Sequence, residues 1–188
     1  DITSQVTISA WIRPTAIGQW NRIVAKSYTS NASPYTMYGL LFDDTNHLRE
    51  EIASGSAQYG ANGTSTVPTD GSWTYAAVTY DHTAIRVYFN GSSEGTPTSL
   101  ATNIDTDDMP LSIGRSGFDL DYFTGRIDEV RVSNIARSAC RIQTEYNNMN
   151  SPSTFYSVGS EQETGLTFNS KYVVTSSTAV TTTSGTLV

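Results

Sequence analysis

One cysteine, Cys140, is all that this 188-residue chain carries, so no disulfide can form within it. Its setting, Ser138-Ala139-Cys140-Arg141-Ile142, reads as a short helix and predicts a buried structural thiol. Long apolar runs are missing too, and nothing approaches the length of a membrane span. Basic residues are scarce, 11 against 18 acidic ones, for a net charge of −7. That balance argues against a nucleic-acid partner, which favours a basic face. No leader-like stretch stands before the first strand, so the sequence reads as mature or trimmed material. Gly-rich phosphate loops and zinc-ligand spacings are absent as well. The two histidines, His47 and His82, fall in or near turns, without the partners of a nucleophilic constellation.

What is present is a pattern of short strands. Trp73-Thr74-Tyr75-Ala76-Ala77-Val78-Thr79-Tyr80 and Ala84-Ile85-Arg86-Val87-Tyr88-Phe89 are rich in β-branched and aromatic residues. With Asp81-His82-Thr83 between them they read as a hairpin. Neither face of the first run is plainly polar, which places it inside a two-sheet sandwich. Asn90-Gly91 supplies the positive-φ dipeptide of a tight reversal. Further strands are expected over residues 5–14, closed by Pro14, and over 20–25, 35–42, 47–52, 109–114 and 127–132. Residues 54–69 read as a long loop or weak strand, 92–108 as polar and irregular, and 116–122 as an acidic, aromatic loop. One helix is expected at about 138–148, with Ser138 as N-cap and Ala139, Ile142, Tyr146 and Met149 on one face.

Three ordered blocks carry a family resemblance. They are Val6-Thr7-Ile8-Ser9-Ala10-Trp11-Ile12-Arg13-Pro14, the stretch from Asp70 to Gly91, and Phe123-Thr124-Gly125-Arg126-Ile127-Asp128-Glu129-Val130-Arg131-Val132. The chain resembles the laminin-G-like, concanavalin A-like jelly-roll family. The resemblance implies an all-β sandwich of two antiparallel sheets, over residues 1–160. It leaves function open, since one fold hosts many.

The family's opening strand has no counterpart before Trp11. Its apolar pattern recurs at the other end, in Leu166, Phe168, Tyr172, Val173 and Val174, beyond a polar hinge at 161–165. Residues 166–188 therefore read as a strand segment that completes its own domain or a neighbouring one. Alternatives are a unit cut out of phase from a tandem array, or a Ser/Thr-rich stalk. The reading preferred from sequence is a non-catalytic subunit of an extracellular or cell-surface filament, with copies of itself as partner. The alternative is a carbohydrate- or protein-binding module of a larger surface or secreted protein.

Hydrolases of this fold imply two carboxylates on one strand face. Asp128-Glu129 and Glu50-Glu51 are adjacent, so their side chains are expected on opposite faces. Glu161 and Glu163 share a face, but in a polar segment at the domain's edge. For glycans, exposed aromatics beside polar groups are the requirement. Phe118, Asp119, Asp121 and Tyr122 are the first candidates, with Tyr28, Tyr35 and Tyr59 as further ones. No cofactor is required. The resemblance admits a calcium ion, for which Asp105, Asp107 and Asp108, or Asp119 and Asp121, are candidate ligands without a recognised spacing. Asn31, Asn62 and Asn90 open N-glycosylation sequons.

Overall fold

The computed structural model describes residues 1–155, 159, 166–167 and 186–187. Two five-stranded antiparallel sheets form the larger compact unit, Asp1–Phe155. The first has the order β10-β1-β6-β7-β8, from β1 (Val6–Ala16), β6 (Thr74–Tyr80), β7 (Ala84–Phe89), β8 (Ser92–Ser99) and β10 (Thr124–Ser133). The second has the order β5-β4-β3-β2-β9, from β2 (Arg22–Ser27), β3 (Thr36–Phe42), β4 (His47–Ser54), β5 (Ala57–Thr66) and β9 (Leu111–Ile113). This is the concanavalin A-like sandwich expected from the sequence.

The core lies between the sheets, where the period of two along each strand puts alternate residues. Val6, Ile8, Ala10 and Ile12 of β1 meet Leu40, Phe42, Leu48 and Ile52 of the other sheet. All seven residues of β6 are buried, which the two apolar faces of its sequence foretold. Ala76, Val78 and Tyr80 face the core, while Tyr75 and Ala77 face a second cluster built around Ile142. Ile142 belongs to α1 (Ala139–Asn150), whose N-cap is Ser138, its side chain accepting from the Arg141 N–H. The Tyr146 ring of α1 and the rings of Trp11 and Tyr75 on the sheet pack 5.4–6.1 Å apart, and Trp11 Nε1–H donates to Met149 Sδ at 3.3 Å. A short α2 (Pro152–Phe155) follows.

Three local expectations are corrected, and for residues 54–69 the strand alternative is the one observed. Cys140 is exposed rather than buried, because the face of α1 turned to the sheet is the one carrying Ile142, Tyr146 and Met149. Pro14 does not end β1; it lies opposite Gly125 of β10, past the last pairing with β6 at Ile12. Its missing N–H therefore costs no ladder bond on the β6 side. Residues 57–66 form a full strand, β5. Residues 92–99 form the edge strand β8, mostly exposed and therefore without apolar alternation. Glu94 of β8 ties the two together, accepting from the backbone N–H groups of Thr64 and Ser65.

The second unit is Tyr156–Val188. Within it, β11 (Leu166–Thr167) pairs antiparallel with β12 (Thr186–Leu187), Leu166 opposite Leu187. Phe168, Tyr172, Val173 and Val174, and the hinge at 161–165 with Glu161 and Glu163, lie outside the described residues.

Candidate functional site

The outer face of the second sheet carries a groove of about 520 Å³, a size suited to a small ligand. Its floor comes from strands: Arg22 of β2, Glu51 of β4 and Gln58 of β5. Its walls come from three loops that bring Trp20, Asn31, Ser33, Tyr35, Leu120 and Asp121 to the rim. Glu51 reaches this face because Glu50, one residue earlier, points the other way, into the core.

The floor is buried and tightly bonded. Arg22 Nη1 donates to Glu51 Oε2 at 2.9 Å, and the Thr36 hydroxyl donates to the same oxygen at 2.9 Å. Arg49 Nε donates to Glu51 Oε1 at 3.1 Å. Gln58 holds the β3 entry: its Oε1 accepts from the Tyr35 and Thr36 N–H groups, and its amide donates to the Thr36 carbonyl. The rim loops are held by backbone bonds. The Arg22 N–H donates to the Asp121 carbonyl at 2.9 Å, and the Ser116 N–H donates to the Leu120 carbonyl at 2.9 Å.

Trp20 sits at φ +62 and Asp121 at φ +56, the left-handed region that costs non-glycine residues free energy. The Arg49 guanidinium lies 5.7 Å from the Trp20 ring centroid, within cation–π range. The groove thus combines flat aromatic walls with a polar floor. Such a surface accommodates a ligand with one apolar face and several hydroxyls.

The expected glycan candidates divide. Asp121 lines the groove, and Tyr35, among the further candidates, stands at its rim. Phe118 is half-buried and Asp119 is exposed, ion-paired with Arg115. Tyr122 and Tyr59 are exposed, while Tyr28 packs partly against the core. Trp20, Arg22 and Gln58 were not among the sequence candidates, and Glu51 was weighed only as a hydrolase carboxylate beside Glu50. The available signal was charged residues inside otherwise apolar strands, at Arg22, Arg49 and Glu51.

Asp128 and Glu129 overturn the opposite-faces expectation. A register shift between Ser9 and Trp11 sets a bulge in β10 there, with Glu129 at φ +51. Both carboxylates consequently line one concavity with Trp11, Trp73 and Arg131, and Arg131 pairs with Glu129 at 2.5 Å.

The acidic clusters have structural partners. Asp105 accepts from the Gly55 and Ser56 N–H groups, and Asp107 pairs with Lys26 at 3.2 Å. Asp108 is exposed. Among the described residues no three His, Cys, Asp or Glu side chains converge. Of the sequon residues, Asn31 lines the groove; the Asn62 amide donates to Asp43; Asn90 Oδ1 accepts from the Tyr75 N–H. No described helix is long and apolar enough to cross a membrane.

A family profile described as the concanavalin A-like lectin/glucanases superfamily matches residues 1–143. No curated protein sequence matches the chain. Among solved structures, it is similar to a candidate carbohydrate-binding protein from Bacteroides ovatus, at 23% identity and TM-score 0.58. That similarity covers 74% of this chain and 40% of that one, so the chain spans well under half of that protein's length. It is similar, too, to the CBM40 of the Ruminococcus gnavus IT-sialidase bound to α2,3-sialyllactose. There the identity is 14% and the TM-score 0.59, over 76% of this chain and 83% of that one. Domain 4 of AbnA, a GH43 extracellular arabinanase from Geobacillus stearothermophilus in complex with arabinotriose, matches at 21% identity and TM-score 0.57. The shares are 76% of this chain and 66% of that one. At these identities the likeness carries the fold.

Proposed function

Because the chain belongs to the concanavalin A-like lectin/glucanases superfamily, we propose that it is a non-catalytic glycan-binding module acting outside the cell or at its surface. The observation that carries this reading is the groove itself: Trp20 and Tyr35 stand over a polar floor fixed by the Arg22–Glu51 pair. Sugar rings present C–H faces to aromatic walls and hydroxyls to polar floors. The carbohydrate-associated neighbours support it at the level of fold.

Trp20→Ala and Tyr35→Ala are each expected to weaken glycan binding about tenfold, with the thermal midpoint nearly unchanged because both residues are exposed rim positions. The check is a glycan array on wild type, followed by calorimetry of the best binder on each variant. Binding that survives both substitutions places the ligand elsewhere.

A second reading, assembly with copies of itself, draws on the sandwich's open side. Among the described residues β10 and β9 are the end strands of their sheets, each paired on one side only, and Leu111 and Ile113 of β9 are 43% and 55% exposed. Such edges accept an added strand, and the apolar residues of segment 166–188 make another copy's tail the occupant. Light scattering and negative-stain microscopy of the full chain and of a version lacking 165–188 test it. Filaments that disappear with the segment support assembly, and monomers in both samples refute it.

A further inference from the structure

Every cation at the groove floor already has an anion. Arg22 is almost fully buried and bonds Glu51 Oε2 through Nη1, while its Nε is inaccessible, with Asp121 Oδ2 3.6 Å away. Among the described residues that line the groove, Arg22 is the one cation. Arg49, beside it, is engaged three ways: with Glu51 Oε1, with Asn62 Oδ1 at 2.5 Å, and against the Trp20 ring. Two guanidinium groups thus stand against two carboxylates, Glu51 and Asp121.

The anions are not equally occupied. Both oxygens of Glu51 accept hydrogen bonds, from Arg22, Thr36 and Arg49. The carboxylate of Asp121 is about one-third exposed, and its approach to Arg22 at 3.6 Å is beyond hydrogen-bonding distance. Gln58 is occupied by the backbone of Tyr35 and Thr36. The open charged group that a ligand meets is therefore an acceptor.

From this we infer that the groove selects neutral glycans and excludes acidic ones, Asp121 accepting from a ligand hydroxyl. The inference rests on the glycan-binding reading above. A neutral sugar donates a charge-assisted hydrogen bond to Asp121, of the stronger kind. A sialic or uronic acid carboxylate brought to the same place finds, among the described lining residues, only a cation already paired with Glu51, and meets the Asp121 charge, an arrangement that works as rejection. This separates the chain from its R. gnavus neighbour, whose ligand, sialyllactose, is acidic.

The experiment is an array of immobilised neutral and acidic glycans probed with the full chain, followed by titration of the best binder at low and high salt. Lactose and sialyllactose serve as the matched pair in which only the acidic sugar differs. The expected result is retention by neutral glycans alone, with an affinity insensitive to salt, as befits an uncharged ligand. Asp121→Asn is expected to weaken that binding about tenfold, since a charge-assisted bond becomes a neutral one. Asp119→Asn, on the same loop but outside the groove, is expected to leave it unchanged. Preference for acidic glycans, or affinity that falls steeply with salt, overturns the inference while leaving glycan binding standing. So does full affinity in Asp121→Asn. Retention by no glycan of either kind refutes the glycan-binding reading itself.

Discussion

Arg22→Ala is expected to cost about 3–5 kcal/mol of folding stability and to abolish ligand binding together with it. Arg22 and Glu51 are each 5% exposed and bond at 2.9 Å. Removing the guanidinium leaves a buried carboxylate with only Arg49 and the Thr36 hydroxyl for compensation. Those two partners put the loss toward the lower end of the range. The companion experiment separates stability from function. A double variant, Arg22→Met with Glu51→Leu, removes both charges at once, and replacing a buried pair by apolar residues is often neutral or stabilising. Urea unfolding midpoints of the two single variants and the double one form a thermodynamic cycle. A double variant that folds nearly as stably as wild type but binds no glycan assigns the pair to the ligand. If Arg22→Ala unfolds with the wild-type midpoint, the ion pair is not holding the floor.

Glu50→Leu is expected to move stability the other way, by about 1–3 kcal/mol at neutral pH. Glu50 is fully buried between Leu48 and Ile52 on the core face of β4, and neither carboxyl oxygen has a hydrogen-bond partner among the described residues. Burial pushes its carboxyl well above the ordinary value of 4.5, so the folded protein holds it neutral while the unfolded chain ionises it. Its contribution to stability is therefore fully present below the unfolded value and declines as pH rises from there through the folded one. Asp81 works in the opposite sense. Burial tends to raise it, but hydrogen bonds from Thr83, Ala84 and Arg86 outweigh that and hold it at about 2, against 3.8 ordinarily. Its stabilisation is present above 3.8 and lost as pH falls toward 2. Wild type is thus expected to lose stability between about pH 5 and neutrality, and Glu50→Leu to flatten that slope. Parallel slopes for the two proteins in thermal unfolding across that window contradict a buried neutral Glu50.

Much of the sandwich was legible because its signals are local. The Trp73–Tyr80 run is apolar on both faces, and both are covered, one by the opposite sheet and one by α1. Ser138 caps α1 as its position before the apolar stripe implied. Where apolar alternation is weak the reading left β5 between loop and strand and missed β8: both are half-polar, and their ladders are set by neighbours and by Glu94 rather than by burial. The groove was less legible. Asp121 and Tyr35 stood out as loop residues, but Arg22, Glu51 and Gln58 belong to three different strands. Nothing in their own neighbourhoods says that they meet.

By itself the sequence determined the class of the fold, most of its strands, the capped helix and the absence of any internal disulfide. Each of these follows from a local period, a turn residue or a count. Tertiary structure alone decided what each surface does. Strand order brought Arg22 against Glu51, and the loop after β9 carried Asp121 to them. A bulge in β10 turned Asp128 and Glu129, neighbours expected to diverge, into one concavity. The same alternation sent Glu50 into the core and Glu51 into the groove, a one-residue difference whose consequences depend on which face the opposite sheet covers. Side-chain period is a property of the chain; which side is inside is a property of the packing.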